Sequence, residues 1–164
     1  MIRIVFTASN KWLARIIRWL SRGRVSHCFI QHTSKVWGGD WATEATWPMV
    51  LQRPVELARH YVYTEFLCNF DAPYALQKIR GEVGKWYSFD GFFLFGWWLF
   101  IKRVFKIKIR HPFHSTNGDL CSELLVKFFK AAYLPGSELM DPDYTTPEVV
   151  LKYCEKHPEL FKQL

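Results

Sequence analysis

Asn117-Gly118-Asp119-Leu120-Cys121-Ser122-Glu123-Leu124-Leu125-Val126-Lys127-Phe128-Phe129 is the stretch on which the fold reading turns. Asn-Gly and the polar residues around it mark a turn. The apolar residues that follow recur at helical spacing, which predicts a helix over residues 120–132 with Cys121 in its first turn. First-turn N–H groups have no acceptor inside the helix, and the helix dipole there favours negative charge. A thiol in that position is biased toward the thiolate, which becomes a working nucleophile when a base manages its proton. A lone cysteine is more commonly a buried structural residue, so the reading needs partners elsewhere in the chain.

Two earlier segments supply them. Val25-Ser26-His27-Cys28-Phe29-Ile30-Gln31-His32 reads as a strand, in which His27 points away from Ser26 and Cys28. Gly38-Gly39 signals a turn, and Trp41-Ala42-Thr43-Glu44-Ala45 reads as a second strand pairing back. His27 is the candidate base and Glu44 its candidate orienter. A carboxylate accepting from one imidazole nitrogen fixes the tautomer and leaves the other nitrogen for the thiol.

The remaining chain fills out an α+β pattern. Residues 2–8 predict a strand. Residues 11–22 predict an amphipathic helix, capped by Ser9 or Asn10 and closed by Gly23. A third strand is expected over 61–70 and a helix over 72–84, with Asp71 as cap and Pro73 in the first turn. The run 92–101 reads as helical, 105–110 as a half-exposed strand, and Thr145-Thr146-Pro147-Glu148 as the start of a last helix. No repeat, linker or low-complexity tract divides the chain, so residues 1–164 are expected to form one domain, with an aromatic and basic segment at 91–110.

Composition narrows the class. The chain has 164 residues, 49% of them hydrophobic and 18% aromatic, which excludes a disordered chain. Four cysteines without CxxC spacing exclude a disulfide scaffold, and no secretory signal pattern opens the sequence. A cytoplasmic, reduced chain is the simplest expectation, with peripheral membrane association kept open. The net charge of +7 is unevenly spread. Residues 1–39 hold seven Lys/Arg and no acid, and residues 91–118 hold five and no acid. This asymmetry points to an anionic partner such as a membrane surface. No DNA-binding motif accompanies it, so no specific nucleic-acid partner is expected. The run Phe92–Ile101 is far shorter than the roughly 20 apolar residues of a membrane span; it is expected to wall or lid a substrate cleft.

The order of these pieces resembles a known family. Val25-Ser26-His27-Cys28-Phe29-Ile30 is similar to a Ser-His strand, and Thr43-Glu44-Ala45 to a Glu-Ala strand. Gly84-Lys85-Trp86-Tyr87 is similar to a Gly-x-x-Tyr element, and Leu120-Cys121-Ser122-Glu123-Leu124 to a Cys-Ser-Glu-Leu nucleophile helix. Together they resemble the circularly permuted branch of NlpC-type papain-like cysteine hydrolases, notably its YiiX-like members. The lecithin:retinol acyltransferase-like proteins belong to the same branch, but carry His where Glu44 stands here.

The resemblance implies a permuted papain-like fold, an antiparallel sheet with the Cys-bearing helix packed on it. It implies a Cys121–His27–Glu44 triad that cleaves an amide bond, peptide or isopeptide, through an acyl-enzyme; a cell-wall peptide is one substrate class. Tyr87, Ser26 and Ser122 would line the substrate side, and no metal or cofactor is implied. Two other readings stand beside it. One is a lipid-directed thiol acyltransferase or phospholipase-like enzyme acting on lipid-linked substrate at a membrane; the other is a non-catalytic binding module. Oligomeric state is not legible.

Overall fold

The computed structural model describes residues 1–34, 37–87, 96, 97, 100, 101, 104 and 120–164. The chain runs β1 (Ile2–Thr7), α1 (Trp12–Ser21), β2 (His27–Thr33), β3 (Asp40–Thr46) and β4 (Met49–Pro54). A 3-10 turn (Val55–Leu57), β5 (Val62–Cys68) and α2 (Pro73–Arg80) follow. Beyond the central segment come α3 (Cys121–Ala131), α4 (Pro147–Lys156) and β6 (Phe161–Gln163). The six strands form one antiparallel sheet in the order β4-β3-β2-β1-β5-β6. The fold is α+β, with the Cys-bearing helix α3 against β2 and β3.

Alternation along the strands sorts the side chains into two layers. Ile4, Phe6, Cys28 and Ile30 join Leu124, Leu125, Phe128 and Phe129 of α3 in the main core. Val5, Phe29 and Ala42 point the other way and form a smaller cluster with Val55 and Ala58. Most of α3 finds apolar cover, with Leu124, Leu125, Val126, Phe128 and Phe129 all buried, while Lys127 on the remaining face pairs with Glu82 and Glu123. Burying such side chains contributes about 1.5–3 kcal/mol each.

Local expectations and local structure differ in instructive places. β4 and β6 were not expected. Met49-Val50-Leu51 does not alternate and the strand ends on Pro54, while β6 has only three residues. The left-handed residue closing α1 is Arg22, at φ 52, and not Gly23. Gly23 is required for space: a Cβ there would lie 2.8 Å from the Cβ of Glu148. That close approach seats Arg24 beside α4, where its backbone N–H and its Nε reach the two Glu148 oxygens at 2.6 and 3.0 Å. Ser9 does not cap α1 as its N-cap residue; its hydroxyl accepts from Lys11 N at 3.2 Å just ahead of the helix. Ala72, not Asp71, is the N-cap of α2. At α4 Thr146 caps as expected, accepting from Val149 N at 3.3 Å. The predicted strand at 105–110 lies outside the described residues. Of the run 92–101, Gly96, Trp97, Phe100 and Ile101 are described, and all four are helical. Among the described residues no helix is long and apolar enough to cross a membrane.

Candidate active site

Three adjacent strands aim three side chains at one point. The β2–β3 register pairs Ile30 with Thr43, so Glu44 stands diagonal to His27 on the same face of the sheet. The β3–β4 register pairs Glu44 with Leu51, so Arg53 is its diagonal neighbour on the far side. The contacts follow from this. His27 Nε2 is 2.8 Å from Glu44 Oε2, and Arg53 Nε donates to Glu44 Oε1 at 2.5 Å. Glu44 is 2% exposed, and both of its oxygens have charged partners.

Helix α3 begins where β2 begins, so Cys121 at its first position reaches both His27 and Cys28 although these point to opposite faces. The helix start is shaped by Glu123, whose Oε2 accepts from the backbone N–H of Leu120 at 3.3 Å. This is the helix-side half of a capping box, and it leaves Cys121 at the mouth of the dipole.

The electrostatics of the cluster point one way. A hydrogen bond from Cys28 holds the Cys121 thiol well below the ordinary thiol range against the cost of burial, and His27 adds to this by charge and hydrogen bond. Burial opposes the positive charge on His27. The Cys121 thiolate and Glu44 outweigh it and push the imidazole up to about 10. Burial also disfavours the Glu44 charge, yet His27 and Arg53 keep its carboxyl below the usual range. Burial pushes Cys28 well above the ordinary thiol value, so it stays an S–H donor. These shifts both favour a thiolate–imidazolium pair over a neutral thiol and imidazole. With Nε2 held by Glu44, Nδ1 is the ring nitrogen left for the thiol.

A cavity of about 550 Å³ opens over this cluster. Its floor includes His27, Glu44, Arg53 and Cys121, and Ser26, Ser122 and Tyr87 also line it. The structure thus brings all six expected site residues together. Tyr87 is delivered by a strand-like pairing of residues 84–87 with β4. Gly84 N donates to Val50 O at 3.0 Å, Val50 N to Lys85 O at 2.9 Å, and Tyr87 N to Pro48 O at 2.8 Å. Gly84 sits at φ 90, which only glycine adopts without strain. Burial and the negative charge on Cys121 push the Tyr87 phenol up, so it stays protonated. Ser26 Oγ is engaged with Thr7 O at 3.3 Å.

Sequence reasoning missed two members. Arg53 belongs to the unexpected strand β4, and a charged residue just before Pro54 reads as solvated. Cys28 reads as core, and its hydrogen bond to Cys121 follows only from where α3 docks. Part of the wall comes from α1, whose Leu13, Ala14, Ile17 and Leu20 face the cavity. Gly96 also lines it, so the aromatic segment reaches the cleft at that residue. No protein-family model matches the chain, and no curated protein matches it.

Proposed function

We propose that this protein is a cysteine hydrolase that cleaves a carboxylic acid derivative, an amide in the first instance, through Cys121, His27 and Glu44. The observation that carries this reading is the 2.8 Å contact between His27 and a buried Glu44, in a cluster whose charges lower the Cys121 thiol. The Cys121 thiolate attacks the carbonyl carbon and the carbonyl oxygen takes the negative charge. First-turn N–H groups of α3 are the nearest donors of the kind that stabilise such an oxyanion, at about 3 kcal/mol per donor. As the C–N bond breaks, His27 gives its proton to the leaving amine, leaving a thioester on Cys121. Neutral His27 then takes a proton from water, the hydroxide attacks the thioester, and the acid departs as the thiolate is restored. Glu44 holds the ring and its charge throughout, and Arg53 holds Glu44.

A second reading, cleavage or transfer of a lipid acyl group, is favoured by one observation. The cavity wall built by Leu13, Ala14, Ile17 and Leu20 is apolar and suits an acyl chain. A panel of peptides, isopeptides and acyl esters, run beside Cys121→Ala, separates the two. Turnover of the amides that disappears in Cys121→Ala supports the first reading. Ester turnover alone moves the assignment to the second. Turnover of neither class, with Cys121 no more reactive to iodoacetamide at neutral pH than a free thiol, leaves a binding module.

A further inference from the structure

Helix α1 has no buried residue. At about 100° per residue its surface divides into three sectors. Leu13, Ala14, Ile17 and Leu20 turn toward the cavity. Lys11, Arg15, Arg18 and Arg22 form a basic sector, and no acidic residue precedes Asp40 in the chain. Between the two lie Trp12, Ile16 and Trp19, which are 73%, 41% and 49% exposed. Trp12 and Ile16 stand beside cations and match an occupant that is both apolar and anionic.

We infer that α1 docks this protein on the surface of an anionic lipid bilayer. The helix lies in the interfacial plane, with Trp12 and Ile16 at the boundary between headgroups and acyl chains and the arginines against lipid phosphates. Charge selects this occupant over a second copy of the chain, because pairing α1 with α1 sets four cations against four. The aliphatic Ile16 beside Trp12 favours it over single-stranded nucleic acid, whose bases stack on aromatic rings but gain little from an aliphatic side chain. The inference stands on α1 alone and does not need the proposed chemistry. It does have a consequence for it: the helix that meets the bilayer also forms the apolar wall of the cavity above Cys121.

The test uses the whole chain in co-sedimentation with vesicles of phosphatidylglycerol and phosphatidylcholine, and with vesicles of phosphatidylcholine alone. Binding to the anionic vesicles that weakens as salt rises is expected. Arg15→Glu with Arg18→Glu should weaken it by at least about 25-fold, at roughly fivefold per cation removed. Trp12→Ser with Ile16→Ser should weaken it by about tenfold. Iodoacetamide labelling of Cys121 without vesicles should be unchanged in both double variants, which keeps a failure of docking distinct from a failure of the proposed catalysis. Equal binding to both vesicle types, or binding unmoved by either double variant, overturns the inference. So does a dimer that Trp12→Ser dissolves while vesicles are ignored, or retention on a single-stranded oligonucleotide while vesicles are ignored.

Discussion

The imidazole of His27 is held by Glu44 at 2.8 Å, and the same carboxylate is clamped from its other oxygen by Arg53. This arrangement makes Glu44 an anchor for charge as well as for orientation. Glu44→Gln keeps the shape and removes the charge. The imidazolium exists below its titration point, so losing an anion beside it must move that point down from about 10. The alkaline limb of the rate profile should shift to lower pH, and turnover should fall about 10²-fold or more. Arg53→Met removes a cation and leaves the carboxylate charged, so it should not lower the His27 titration point; it should lower stability by about 2 kcal/mol, the scale of a lost hydrogen bond to a charged group. An unmoved alkaline limb in Glu44→Gln would show that the carboxylate does not govern His27.

The Cys121–His27 pair also sets how stability varies with pH. His27, raised in the fold, contributes stability that is complete below its ordinary value of 6.5 and lost as pH rises toward about 10. Cys121, lowered in the fold, contributes stability that is complete above its ordinary value of 9.0 and lost as pH falls. Between 6.5 and 9.0 the folded pair holds one proton and so does the unfolded pair, so the two slopes cancel. The lowered groups His32, Asp40 and Glu44 act below this window, and the raised thiols Cys28, Cys68 and Cys154 act above it. Thermal melts should therefore give a flat Tm from about pH 6.5 to 9, falling on both sides. A steady slope through neutrality would sink the ion-pair assignment.

Cys28 is the largest influence lowering Cys121, through its S–H, with His27 and the Cys28 backbone adding to it. Cys28→Ala should raise the Cys121 titration point, so iodoacetamide labelling at mildly acidic pH should slow several-fold while labelling near pH 9 changes little. The stability cost should be about 1 kcal/mol, as for loss of one buried heavy atom. Equal slowing at every pH would instead indicate a displaced helix.

Gly23 sits against Glu148, and a methyl group there meets backbone-proximal atoms that cannot swing aside. Gly23→Ala should cost about 1–3 kcal/mol through overpacking and loosen the Arg24–Glu148 contact. The measurement is denaturant unfolding. A cost near zero would mean that α4 shifts freely.

Much of this was legible because it rests on local rules. The Asn-Gly turn and the apolar spacing after it placed Cys121 at the head of a helix, and alternation put His27 and Glu44 on strands. The proposed triad was readable as three residues. Their meeting was not, because it depends on how β2, β3 and α3 dock. Arg53 escaped because its strand is an edge, with little alternation and a terminal proline. Arg22 escaped because a left-handed cap is normally glycine's role, and here glycine was needed at the next residue for packing against α4. Cys28 escaped because strand alternation assigns it to the core, and it is in the core; its second role comes from the helix end that settles beside it.

The distance along the chain between β2 and α3 has one further consequence. The side chains that lower the Cys121 thiol, Cys28 and His27, stand near the start of the sequence, while the thiol itself arrives far later. A growing chain that has built β1 through β4 does not yet hold Cys121, and a chain with α3 undocked carries that thiol without Cys28 and His27 beside it. Contacts so remote in sequence form late and slowly. Thiol reactivity at neutral pH is therefore a clock for the final docking step, and an unfinished molecule is chemically silent until that step is done.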